Sequence, residues 1–497
     1  MARTKLLFLS LFLLSLQIEI FGQSGLSIVD LQVNGLIRNY VVEDLDQDGK
    51  NDVVISYSTD DKRKSKNRFL AVYFQSADGF LQEPNQVIQV DDDAVVYDVA
   101  NVQGDNQKEI LYINSRGVFY IPLVKSLFRR ESGKLLIEAG DIFPGPDVYK
   151  LEFYNFARSV TNSTFDDLLI PIGSTNFLYT RSDTKNRFVQ VTEILSGVNV
   201  SLFSDDEQDA ITSTAAGSHT DIINYNNDQF PDIVFLYKNK IEVFLQTPDG
   251  KFSQIPDREF SFKTGDSKTS TMIKLLKDMN GDGIPDVFIE RTNFADRLEF
   301  KKDFEFFWGT KDAKGITTFG NKPDYSASES GIFVKAITED FDNDGKVDLA
   351  VMNFDIGISN LLGTFISNNI KVSCSLFLQR SNTFPKSSTY QKDIEQEINI
   401  RRDYNRDLMY NLSADLNGDG FNELISFKDD KTLVVYLGNS KTYLSASKSF
   451  SENVQVPENG RNISSQKIFS KQKNDLVIKY DNNDPQSLRN TLKIISK

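Results

Sequence analysis

The stretch Asp340-Phe341-Asp342-Asn343-Asp344-Gly345-Lys346-Val347-Asp348 sets carboxylates at loop positions 1, 3, 5 and 9, with glycine at position 6. The apolar run Leu349-Ala350-Val351-Met352 follows at once. Carboxylates on alternate residues of a tight loop converge on one point, and calcium takes six to eight oxygen ligands of this kind. Without a cation, like charges a few ångströms apart repel by about 1 kcal/mol or more per pair. The register recurs as Asp44, Asp46, Asp48 and Asp52; as Asp278, Asn280, Asp282 and Asp286; and as Asp415, Asn417, Asp419 and Glu423. A thinner copy has Asn224, Asn226, Asp228 and Asp232, with Gln229 in place of the glycine. Eroded copies keep Asn101, Gln103, Asp105 and Glu109, or only the tail at Asp167 or Asn474-Asp475. Calcium affinity is expected to fall from the Asp44 and Asp340 loops, through those at Asp278 and Asp415, to Asn224. The 101 and 159 regions are expected to be empty.

Helix-flanked calcium loops share Asp at 1, 3 and 5 with Gly at 6, but need an acidic ligand at position 12. Here position 12 is Ile55, Ile289, Val351 and Ser426 in the four acid-rich loops, and the last acid sits at position 9, against a strand. The helical type of site is therefore disfavoured.

The elements that must position these loops repeat with them. Each loop leads into an apolar run: Val53-Val54-Ile55, Ile110 to Ile113, Leu168 to Ile170, Ile233 to Leu236, Val287 to Ile289, Leu424-Ile425 and Leu476 to Ile478. Such runs suit strands buried on both faces. Successive copies start about 55 to 75 residues apart, near the period of propeller blades. A second mark follows each loop by about 25 residues. It reads Val72-Tyr73-Phe74-Gln75-Ser76-Ala77-Asp78-Gly79-Phe80, then Val243 to Phe252, with weaker forms at Leu376 to Phe384 and Val434 to Asn439, each a strand and a tight turn. One unit is then a four-stranded antiparallel blade. Eight blades are counted; seven is the alternative, because Ser159 to Asp167 makes a poor loop. The last unit, Ile463 to Lys497, lacks a strand that Ser27 to Val33 is placed to supply. The longest spacing holds Asp393 to Ile400, expected as a solvated loop, with a short helix or an excursion on one face as the alternatives.

The pattern Asp-x-Asp/Asn-x-Asp-Gly-x-x-Asp/Glu ahead of an aliphatic strand, with the in-phase hairpin mark, resembles the FG-GAP and VCBS repeats of the integrin α-subunit propeller and of secreted bacterial proteins. The resemblance implies an all-β propeller over residues 23–497 and calcium held by side chains at positions 1, 3, 5 and 9 plus the carbonyl at 7. Those carbonyls belong to Lys50, Ile284, Lys346 and Phe421. The Phe-Gly and Gly-Ala-Pro marks of the integrin-type repeat are absent, so no integrin-like partner is implied.

Residues 1–22 carry Arg3 and Lys5, then an apolar run from Leu6 to Leu16, and read as a secretory signal. The expected location is secreted or periplasmic, with no membrane span after its removal. The net charge of −14 argues against nucleic acid as a partner. The only cysteine, Cys374, lies in a strand-like stretch and reads as a buried thiol, which leaves no internal disulfide. The only histidine, His219, lies in Ser218-His219-Thr220-Asp221, where neighbours in a strand point to opposite faces and do not make a triad. The sequons at Asn162, Asn199, Asn411 and Asn462 could carry glycans in a glycosylating host. The functional expectation is a secreted, monomeric, calcium-binding propeller that recognises an extracellular protein or glycan. The alternative is an exported carboxylate-based hydrolase or polysaccharide lyase on the same scaffold. A deep pocket with convergent carboxylates and Arg or Lys favours the enzyme; a shallow aromatic or polar surface favours the binder.

Overall fold

The apolar run behind each acidic loop is buried and falls in the second strand of a blade. Asp52–Ser58, Glu109–Asn114 and Asp232–Leu236 have no exposed residue. Alternate side chains of such a strand face opposite neighbours. Val54 packs with Val99, Ile110 and Ile121 of the following blade, whereas Val53 and Ile55 pack with Leu31, Val477 and Ile494 of the blade before. The core is therefore divided into wedges between blades, and each wedge is dry because both of its walls are aliphatic or aromatic.

The computed structural model describes residues 26–497 except 60–66, 139–150, 162–163, 173–174, 183–186, 196–218, 264, 266–267, 295–299, 332, 355–368, 398–413, 442, 446–447 and 449. The expected secretory signal at 1–22 and the sequons at Asn162, Asn199 and Asn411 lie outside the described residues. The protein is all-β: eight antiparallel blades form a propeller. Blade 1 runs Leu36–Glu43, Asp52–Ser58, Arg68–Tyr73 and Gln86–Gln89. Blades 3, 4, 5 and 6 repeat this order, beginning at Ala157, His219, Thr269 and Phe333. The described part of blade 7 has three strands, from Leu424 to Asn453. Blade 8 takes Ile463–Gln466, Asp475–Ile478 and Thr491–Ser496 from the C-terminal end, and Ser27–Gln32 pairs on its edge in the register Ser27 with Ser496 to Gln32 with Thr491. The ring closes as the sequence predicts, and the poor loop before Asp167 does belong to a complete blade, Ala157–Arg158 to Arg187–Ile194.

Three features depart from the sequence reading or add to it. Tyr390–Glu397 is the outer strand of blade 6, so Asp393 to Glu397 is not a solvated loop, a helix or an excursion; 398–400 lie outside the described residues. Glu152–Phe153 pairs parallel with Val96–Ala100 as a fifth strand on the inner side of blade 2, with Phe153 edge-on to Tyr97 at 5.6 Å. Blade 5 carries an extra hairpin, Thr310–Lys311 with Thr317–Thr318, between its third and fourth strands. Asn462 is buried and donates Nδ2 to Asp481 at 2.8 Å, so its sequon presents no free amide.

Candidate functional site

The five fuller loops share one backbone path. Positions 4 and 6 both take the left-handed conformation: Gln47 and Gly49, Asn227 and Gln229, Gly281 and Gly283, Asn343 and Gly345, Gly418 and Gly420. The eroded loop at Asn101 keeps it too, at Gly104 and Asn106. Gly345 adopts it at φ 83°, with nothing near the place of a Cβ. Gln229 adopts it at φ 78° with a side chain, so the thinner copy keeps its shape at a cost in strain. This path turns the position 1 carboxylate under the loop: Asp340 Oδ2 accepts Gly345 N–H at 2.8 Å, and Asp44 Oδ2 accepts Gly49 N–H at 3.0 Å.

Position 9 does something common to all eight blades. One oxygen of its carboxylate accepts the N–H of position 2: Asp52 from Leu45, Glu109 from Val102, Asp167 from Val160, Asp232 from Tyr225, Asp286 from Met279, Asp348 from Phe341, Glu423 from Leu416 and Asp475 from Ile468. In blades 1, 4, 5 and 6 the other oxygen accepts an N–H just beyond the third strand, from Gln75, Gln246, Gly309 and Gln379, at 2.7–2.9 Å. The carboxylate thus staples loop, second strand and third strand together. All eight are fully buried. Burial pushes the acids of Asp52, Asp286, Asp348 and Glu423 up to about 7, against the pull of these backbone donors.

Positions 1, 3 and 5 converge instead on one another. Carboxylate oxygens of Asp44, Asp46 and Asp48 lie within 4.8 Å of each other, as do those of Asp340, Asp342 and Asp344, and those of Asp415, Asp419 and Glu423. Only the longer Glu423 brings position 9 into such a group. Asp44 Oδ1 and Asp342 Oδ1 are buried without a hydrogen-bond partner. An orphaned anionic oxygen inside a ring of others fits a hard cation and little else. The chain also supplies counter-charges: the Lys50 ammonium meets Asp48, and Arg380 reaches both Asp342 and Asp344, the latter at 3.1 Å. In the loops at Asp278 and Asn224 the neutral ligands turn inward, with Asn280 Nδ2 on Asp282 and Asn226 Nδ2 on Asp228, at 3.1 and 2.7 Å.

A second site was not legible in the sequence. The first strands of blades 1 to 4, around the axis of the ring, bound a pocket of about 610 Å³ with Glu43, Asp98, Lys108, Arg158, Asp166 and Asp221 in its wall. Lys108 pairs with Asp166 at 3.4 Å, and Arg158 donates to Thr220 O at 2.6 Å. Asp98 is buried and accepts the N–H groups of Val99, Phe156 and Ala157, each at 2.8 Å; burial raises its acid to about 7. The insert Glu152–Phe153 brings in Asn155 and Phe153. His219, largely exposed, pairs with Asp221 at 2.7 Å, which raises the imidazole above its ordinary value. The two share a face because they are two apart, not adjacent. Cys374 is a buried free thiol whose proton burial retains, up to about 12.

The ring and its acidic loops define a repeat-built propeller. Residues 224–289, from the first ligand position of one loop to the strand after the next, match the FG-GAP-like repeat family. The chain is thus an eight-bladed propeller that carries an FG-GAP-like repeat at 224–289 and resembles propellers built from such repeats. No curated protein sequence matches it. Among solved structures, a lectin from Agrocybe aegerita that recognises non-reducing terminal N-acetylglucosamine is 12% identical (TM-score 0.41), over 86% of this chain and 90% of that one. The Vibrio cholerae biofilm matrix protein Bap1 is 10% identical (TM-score 0.30), over 92% and 76%. A putative 6-phosphogluconolactonase from Bacteroides fragilis is 10% identical (TM-score 0.33), over 80% and 93%. These likenesses say nothing of what the present chain binds. Among the described residues no helix is long and apolar enough to cross a membrane.

Proposed function

We propose that this protein is an exported, calcium-stabilised propeller that binds an extracellular glycan or protein, with the axial pocket as its receptor site. The pocket carries the reading. Its volume lies in the range of small-ligand sites, about 300–1,000 Å³. Its wall offers Lys108, Arg158 and Asn155 as donors beside Asp166 and Asp221 as acceptors, while Phe153 supplies an apolar face. Two of these charges, Lys108 and Asp166, are matched within the wall, and Asp221 is paired with His219 outside the lining. A wall of matched charges suits a neutral polyhydroxyl group, which takes hydrogen bonds without demanding a net charge.

Calcium would be held by Asp44, Asp46 and Asp48, by Asp340, Asp342 and Asp344, and by Asp415, Asp419 and Glu423, with Asp278 and Asp282 as a poorer set. Its contribution would be to neutralise each acidic cluster and fix the strand behind it, away from the ligand. The test is a glycan array followed by calorimetry on wild type, Lys108→Ala and Arg158→Ala. The expected result is a bound glycan whose affinity falls at least tenfold in either variant. An array hit that both variants bind as well as wild type sinks the assignment of the pocket.

One observation favours the enzyme. Glu43 opens into the pocket with no hydrogen-bond or ion-pair partner among the described residues, and desolvation raises its carboxyl despite the nearby Lys108. A carboxyl so tuned is suited to general acid work. A screen on phytate and polysaccharides reads this directly: turnover that Glu43→Gln abolishes would replace binding as the function.

A further inference from the structure

The second sequence mark contains a glutamine in the same place three times, and in the structure each is buried between blades. Gln75, Gln246 and Gln379 are 7%, 4% and 0% exposed. The backbone N–H of each lies on the position 9 carboxylate of its own blade. The side chain of each reaches back to the position 2 carbonyl of the preceding blade: Gln75 to Ile468 at 3.4 Å, Gln246 to Val160 at 2.8 Å, and Gln379 to Met279 at 2.8 Å. The Gln379 bond is assigned with its amide turned so that Nε2 rather than Oε1 faces Met279 O and Val347 O, because both neighbours are carbonyls that only accept. In blade 5, whose residue at this place is Gly309, the extra hairpin does the same job: Thr317 Oγ1 donates to Tyr225 O at 2.9 Å.

Of these links, only the one through Gln379 joins two acid-rich loops, Asp278 to Asp286 and Asp340 to Asp348. An unbroken chain runs between them. Asp286 holds Met279 N–H, Met279 O holds the Gln379 side chain, Gln379 N–H lies on Asp348, and Asp348 holds Phe341 N–H. A second bond, Val347 N–H to Met279 O at 2.9 Å, runs beside it. We propose that Gln379 is a positioning residue that couples these two cation loops, so that each binds calcium more tightly when the other is loaded. Residue Met279 is common to both, through its N–H on one side and its C=O on the other. The first cation to bind fixes the two peptides that flank the Met279 Cα and the Gln379 side chain, and the second then has less disorder to remove. The loops at Asp44 and Asp415 lack this partner: the glutamine of blade 1 faces the eroded blade 8 loop, and blade 7 has Gly438 at the corresponding place.

This inference rests on the loops binding calcium, and its test separates the two. The whole mature chain is used, with the Asp44 and Asp415 loops silenced by Asp44→Asn/Asp48→Asn and Asp415→Asn/Asp419→Asn. Calcium calorimetry then compares both remaining loops with either one silenced in turn, by Asp278→Asn/Asp282→Asn or Asp340→Asn/Asp344→Asn. Coupling predicts that silencing one loop weakens the other by about fivefold or more, by the same factor in both directions. In Gln379→Met, which keeps the shape and removes the donor, the factor should fall below about twofold. Affinities indifferent to the neighbouring loop overturn the coupling even if Gln379→Met fails to fold. A coupling retained in folded Gln379→Met overturns the role of the glutamine. No calcium heat from either loop overturns the cation reading, and the coupling with it.

Discussion

Asp348 Oδ1 accepts the backbone N–H of Gln379 at 2.8 Å, across 31 positions of sequence. The other oxygen of the same carboxylate accepts Phe341 N–H at 2.9 Å. The acid read as the last ligand of a metal loop is thus already a staple between strands. The eroded loops of blades 2, 3 and 8 keep the position 2 bond after losing most acids at positions 1, 3 and 5. Stapling therefore does not depend on the acids at positions 1, 3 and 5.

Stapling should matter with or without a cation. Asp475→Ala leaves the N–H groups of Ile468 and Phe469, bonded at 3.0 and 2.9 Å, without their acceptor. A loss of about 2–4 kcal/mol is expected. Urea unfolding should give the same loss in calcium and in chelator; a loss seen only in calcium would contradict this independence.

The counter-charges should set affinity. Arg380 occupies the Asp340 loop in the way a cation would, so Arg380→Gln should tighten calcium there by about two- to fivefold. The same variant should lower the melting temperature in chelator. Calorimetry of single-loop chains should also rank Asn224 last, because its loop has carboxylates only at Asp228 and Asp232 and turns an amide on Asp228.

Cation-free stability should fall as pH rises. The native acids of Asp52, Asp286, Asp348 and Glu423 titrate at about 7, and that of Asp232 at about 6, well above ordinary carboxylates. Between about pH 4 and 7 the native state holds protons that the unfolded chain has lost, so this contribution is complete below that window and gone above it. The melting temperature in chelator should therefore drop between pH 5 and 8, and calcium should flatten the slope. A melting temperature that rises through this range without calcium would refute it.

Ring closure should dominate global stability. Leu31 is fully buried against Val53, Val477 and Ile494. Leu31→Ala should cost about 2–5 kcal/mol, read as an earlier denaturant midpoint. Leu31→Asp should leave blade 8 with an unpaired edge and promote association.

Much of the fold was legible because its signals are local. An acidic loop and an aliphatic run lie next to each other, and a strand buried on both faces shows no alternation to confuse. Tyr390–Glu397 was hidden because its buried positions are Lys392, Ile394 and Gln396. Only one of the three is apolar, and Lys392 is accepted inside because it lies over the Tyr436 ring and donates to Ser445 O at 2.9 Å. The left-handed position 4 was hidden by its varied occupants, among them Gln47 and Asn343. The glutamine was visible in all three marks, but its partner carbonyl lies in another blade, and no local pattern records that. The axial pocket draws its wall from residues 41 to 231, which only the ring assembles.

The closing blade sets a timetable for the protein. Ser27 and Ser496 are 469 positions apart and hydrogen-bonded. During synthesis the Ser27–Gln32 strand must wait, its edge unpaired, until Thr491–Ser496 has been made. Blades stack early and locally, but the ring itself closes only once Thr491–Ser496 is available, as one slow long-range event. Until then the waiting strand is a free β-edge, open to chaperones and to neighbouring chains alike.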